Sequence, residues 1–113
     1  KTYSEYRVVP ELNHHLMEGL QFPTTNDTTL LFISVHSELY VPGNRKRMTL
    51  TEQVLEKNKV EFRQHTLQST TKLEQAFELI VLGSYTSFYL AILHNQNPTP
   101  NPWVDWFKAE LKK

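Results

Sequence analysis

Apolar and polar positions alternate along this chain with periods that change every ten to twenty residues, and the changes mark out its elements. Tyr6, Val8 and Val9 give an extended start, followed by a short helical stretch from about Pro10 to Leu20. Pro10 suits the first turn, where its missing N–H costs nothing. Phe22–Thr28 is a polar loop. Thr29–Val35 (TLLFISV) is nearly continuous apolar sequence rich in β-formers, and predicts a strand covered on both faces. Residues 41–47 (VPGNRKR) read as a charged connection with a turn. Thr49 with Glu52 fits a capping box, and Leu50, Val54 and Leu55 continue it as a helix to about Asn58. Val60–Leu67 alternates at first and predicts a second strand. Thr71 with Glu74 forms another capping box that opens the longest helix. In that helix Leu73, Ala76, Phe77 and Ile80 keep helical spacing, and from Leu82 to Leu93 apolar side chains cover most of the circumference. Such a helix belongs in a core or an interface. It ends near His94, before three prolines in five residues. Asn101 and Pro102 then cap and open a last helix carrying Trp103, Trp106 and Phe107.

The order strand–helix–strand–helix predicts an α/β unit with a small parallel sheet flanked by helices, closed by a C-terminal helix. Two strands, or three with residues 5–9, leave sheet edges that need cover. With 113 residues the chain suits one domain, and 39% hydrophobic residues can build a core. Twelve Lys and Arg balance twelve Asp and Glu, which removes the basic footprint expected of a protein that binds nucleic acid or an anionic membrane. The apolar run Leu30–Val35 is far short of the roughly 20 residues of a membrane helix. The absence of cysteine excludes a disulfide framework and thiol chemistry, and fits a cytoplasmic setting. Only three glycines argue against a glycine-rich phosphate cradle.

The densest polar cluster is Glu11-Leu-Asn-His14-His15-Leu-Met-Glu18, where Glu11, His14 and Glu18 share one helical face. A di-metal helix bundle would need a second Glu-x-x-His and further carboxylates on other long helices, so no metal site is expected. His36, His65 and His94 stand singly and read as histidines at element ends. Asn26-Asp-Thr28 matches a glycosylation sequon without secretory context. The residues alone stop at an α/β unit with a conspicuous histidine pair.

Two segments together go further. Pro10-Glu-Leu-Asn-His-His-Leu-Met-Glu-Gly19 resembles the P-E-L-N-H-N stretch of the bifunctional phosphoglucose/phosphomannose isomerases. Leu82-Gly-Ser-Tyr-Thr-Ser-Phe-Tyr-Leu-Ala-Ile-Leu93, Asn97-Pro-Thr-Pro100 and Phe107-Lys108 resemble their L-G-D-x-x-S-x-Y-L-A-x-L…D-P-T-P…L-K signature. Phe32-Ile-Ser-Val matches in kind a strand of their second sugar isomerase (SIS) subdomain. The resemblance implies a SIS-type, flavodoxin-like three-layer fold, here the C-terminal subdomain of a two-subdomain parent of roughly 300 residues. It implies a phosphorylated hexose substrate, a homodimer, no cofactor, and no part for nucleic acid or membrane. His14 matches the histidine assigned to ring opening, Lys108 a lysine that approaches the sugar oxygens, and Thr99 a residue lining the pocket, with Asn13 and His15 beside it as substrate-binding residues. Lys1 falls on the lysine of an E-N-x-K stretch, which puts the general-base glutamate upstream of these residues, and the phosphate pocket in the other subdomain. On this resemblance the isolated chain is inactive. Three positions depart from the pattern: His15 replaces an asparagine, and Ser84 and Asn97 replace aspartates. A non-catalytic sugar-phosphate-binding or oligomerisation module of the same fold is the alternative, and an unrelated metal-binding α/β domain a distant third.

Overall fold

A computed structural model describes residues 4–9 and 14–113, with His14 described by its backbone alone. The chain divides into two compact units, one spanning Glu5–Leu79 and the other holding Ile80–Lys113. The elements are α1 (His14–Gly19), α2 (Asn26–Thr29), β1 (Leu31–His36), α3 (Pro42–Lys57), β2 (Glu61–Thr66), α4 (Lys72–Leu93) and α5 (Pro102–Glu110). The predicted helix start at Pro10 and the positions of Glu11 and Asn13 lie outside the described residues.

In the first unit β1 and β2 pair in parallel, from Leu31 opposite Glu61 to His36 opposite Thr66, and α3 provides the crossover. The α/β class and the parallel pairing agree with the sequence pattern. Ser4–Val8 joins no strand, so among the described residues the sheet has two strands and not three. Side chains alternate across it. Phe32 and Phe62, opposite one another, pack against the buried Leu20, Leu55 and Val60, with Val54 beside them. That core is where α1 and α3 meet the sheet. On the other face Leu31 and Ile33 are more than half exposed, which corrects the expectation of a strand covered on both sides. A continuous apolar run holds no information about which face meets the core; the partner helix decides it.

The second correction concerns α3. The Pro-Gly dipeptide read as a turn, yet the helix already begins at Pro42. Proline's fixed φ is a ready first helical residue, and at that position it forfeits no bond. Thr49 therefore lies mid-helix, its hydroxyl donating to the Arg45 carbonyl at 3.3 Å, and Glu52 turns into the protein instead of back to a cap. The helix ends where Lys59 takes φ 59°. The Val60 N–H then donates to Leu55 O (3.0 Å) and the Lys59 N–H to Glu56 O (2.9 Å). This Schellman closure brings Val60 onto Leu55, so one turn both stops the helix and completes the core.

The Thr71–Glu74 box is present as predicted. The Thr71 N–H and hydroxyl donate to Glu74 at 3.0 and 2.9 Å, and the Glu74 N–H returns a bond to Thr71 Oγ1 at 3.3 Å. By length and composition α4 would suffice to cross a membrane, since Gly83, Ser84, Thr86 and Ser87 interrupt its apolar runs without adding charge. A helix buried in a soluble core has the same composition. It ends in the second unit on a repeat of the α3 closure: Asn95 takes φ 54°, and Gln96 N–H donates to Ala91 O at 2.8 Å. Pro102 opens α5 as expected, but Asn101 makes no side-chain cap; its amide donates to Thr99 O at 3.2 Å.

Candidate active site

The expected site residues fall in both units. In the first, His14 and His15 open α1. This short helix is held at its far end: Leu20 is buried in the core, and the Asn26 amide lies within hydrogen-bond distance of the Gly19, Leu20 and Phe22 carbonyls, at 3.4, 3.2 and 3.1 Å. One apolar anchor and one amide clamp thus fix the helix that carries the histidine pair. His15 is exposed. The His14 side chain and all of Asn13 lie outside the described residues.

In the second unit Thr99 sits in the proline loop, and its N–H donates to Asn97 Oδ1 at 3.0 Å. This is an Asx turn, and it needs an acceptor oxygen but no negative charge. Asparagine in place of the aspartate therefore keeps the loop's local anchor. Ser84, the other departure, donates its hydroxyl to the Ile80 carbonyl at 2.8 Å within α4. Lys108 is exposed in the last turn of α5, where its cation complements the helix dipole and stays available to an anionic group.

Sequence reasoning missed a polar cluster at the carboxyl ends of the two strands. His36 Nε2 lies 2.5 Å from Glu52 Oε1, and the Gln64 amide donates to Glu52 Oε2 at 2.7 Å. Glu52 is 5% exposed, so both oxygens are satisfied by protein instead of water. A signal was present: Met48, Glu52 and Leu55 follow helical spacing, and a carboxylate on an apolar stripe calls for a buried partner. Glu52→Leu roughly keeps the volume but removes both oxygens, leaving the Gln64 amide and the His36 ring without this partner. It is expected to cost about 1–3 kcal/mol, read as a lower urea midpoint.

A second network ties the start of α4 to the sheet. Ser37 donates to Gln75 Oε1 at 2.6 Å, and Gln75 donates to the Ser69 carbonyl at 2.8 Å. Glu78 accepts the Gln68 and Ser69 N–H groups at 2.9 Å each, while His65 Nε2 stands 3.7 Å from it. Those two amides, Gln68 first, hold the Glu78 carboxyl below its ordinary pKa; the Thr71 hydroxyl and then the Thr71 amide do the same for Glu74. Unfolding releases both carboxylates to bind protons at a higher pH than the folded state does. Their stabilisation is therefore complete above the ordinary carboxylate range and is lost as pH falls through the folded values. Between about pH 5 and pH 3 the urea midpoint of the chain should fall more steeply than that of Glu74→Gln/Glu78→Gln.

A parallel strand pair joined by a crossover helix and flanked by further helices is an α/β arrangement consistent with the sugar isomerase (SIS) type of fold. Residues 1–111 match the family described as the bacterial phospho-glucose isomerase C-terminal SIS domain, and the chain belongs to that family. It is 28% identical over 111 residues to the bifunctional phosphoglucose/phosphomannose isomerase of Caldicellulosiruptor bescii, a match covering 98% of this chain and 33% of that protein. The chain thus spans about a third of the length of its curated relative. No solved structure matches it.

Proposed function

We propose that these residues are the C-terminal SIS subdomain of a sugar-phosphate aldose–ketose isomerase, acting on glucose 6-phosphate or mannose 6-phosphate to give fructose 6-phosphate. The observation that carries this reading is the family match across residues 1–111. The reaction opens the sugar ring and then moves a proton between C1 and C2 through an enediolate. His14 opens the ring, because an imidazole can give and take protons near neutral pH. Lys108 offers a fixed positive charge to the sugar oxygens as negative charge develops on them. Thr99, His15 and Asn13 line the substrate.

The C1–C2 proton transfer needs a carboxylate whose pKa is raised toward the working pH by partial desolvation. In this reading that glutamate and the phosphate-binding residues belong to the part of the polypeptide that corresponds to the other two-thirds of the relative. The whole acts as a cytoplasmic homodimer, and these 113 residues are inactive alone.

The test is an isomerase assay on these residues alone and on a polypeptide that includes the upstream coding region, with calorimetry against 6-phospho-sugars. The longer polypeptide should interconvert the sugars and the shorter should not. Turnover by the 113-residue chain would refute the outside base. Tight binding without turnover by the longer one would assign it to a non-catalytic module, the reading that the loss of the aspartate at Ser84 favours.

A further inference from the structure

Within the first unit, which reaches Leu79, the opening turns of α4 pack on the fold through polar side chains: Gln75, 6% exposed and bonded to Ser37 and Ser69, and Glu78, bonded to the amides of Gln68 and Ser69. At 100° per residue, Leu73, Phe77 and Ile80 lie on the opposite side of the helix, with Val81 on the flank of that face. They are 69%, 60%, 62% and 53% exposed. The stripe continues through Ser84 to Phe88, itself 48% exposed. From Leu79 to Leu93 the helix carries no charged residue. A soluble protein rarely leaves an uncharged apolar stripe of this length in water.

We infer that the outward stripe of α4, from Leu73 to Phe88, is the seam along which this domain packs against the remainder of a longer polypeptide. The inference rests on the reading that the chain is one part of such a polypeptide. Its support is the relative, two-thirds of which lies outside the matched region, and the geometry of the stripe. The sixteen residues from Leu73 to Phe88 span about 24 Å, most of the diameter of a small domain. A covalently linked neighbour meets the stripe at an effective concentration of roughly millimolar, so the seam needs only an intrinsic affinity tighter than that. A lipid surface fits less well. Inserting α4 would break the Gln75 and Glu78 bonds and leave both side chains unsatisfied in hydrocarbon.

The experiment is hydrogen–deuterium exchange over residues 76–93, compared between the 113-residue chain and the longer polypeptide. A seam predicts exchange slowed at least tenfold in the longer polypeptide. It predicts that Phe77→Asp/Val81→Asp returns the rate to that of the short chain, while Phe77→Leu/Val81→Ile does not. Because both side chains are exposed in the short chain, its far-ultraviolet circular dichroism should be unchanged by the Asp pair. Equal exchange in the two polypeptides overturns the inference. Protection of α4 in a dimer of the short chain also overturns it in favour of a second copy, and flotation with phosphatidylcholine vesicles in favour of lipid. A gene that encodes nothing beyond these residues would instead overturn the reading on which the inference rests.

Discussion

In the longer polypeptide, His14→Ala is expected to lower kcat on ring-closed glucose 6-phosphate by about 10²–10⁴-fold, the range over which a general acid–base group contributes. Most hexose phosphate in solution is cyclic, so turnover must begin by giving a proton to the ring oxygen and taking one from the anomeric hydroxyl. If His14 serves that step, an open-chain analogue bypasses it, and the same substitution should slow that substrate much less. The ratio of the two losses is the diagnostic quantity, since a general misfolding of the site would reduce both together. Equal losses would remove His14 from ring opening. Lys108→Ala should behave differently, slowing both substrates, because the enediolate is common to both routes and its charge must be stabilised in each.

Leu55→Ala is expected to destabilise the first unit by about 2–5 kcal/mol, seen as a lower urea midpoint with an unchanged slope. Leu55 is 1% exposed and touches both ends of the local logic. It packs with Leu20 and Val60 under Phe32 and Phe62, and its carbonyl accepts the Val60 N–H that closes α3. Truncation leaves a cavity that the sheet and α1 cannot collapse to fill without moving Leu20, which anchors the histidine helix. The control is Ile33→Ala, on the open face of the sheet and 58% exposed. It should cost well under 1 kcal/mol in these residues. A small loss at Leu55 would show that the core lies elsewhere.

How much of this was legible beforehand differs between elements, for identifiable reasons. The Thr71–Glu74 cap was readable because both partners sit within one turn, and local geometry closes the bonds wherever the helix forms. The Thr49–Glu52 pair has the same spacing and failed, because Pro42 had already begun the helix and the core side of α3 claimed Glu52. His36 and Glu52 stand too far apart in sequence for any periodicity to join them; only the return of the chain through α3 puts one against the other. The family itself was readable for a different reason, through the histidine pair, the proline–threonine loop and Lys108, whose motifs carry the resemblance. Their meaning lies in order and residue type, which a sequence preserves whole.

The sequence by itself therefore determined the alternation of strands and helices, the parallel class of the sheet and the family. Each rests on short-range periodicity or on a linear motif. The tertiary structure decided which face of β1 is covered, where the carboxylate of Glu52 goes, and that the first turns of α4 bury Gln75 and leave Leu73 and Phe77 exposed. Those are choices between faces, and an element's own pattern cannot make them when apolar residues occupy both sides. The free energy that selects one face comes from the partner brought to it, and the partner arrives only through the fold.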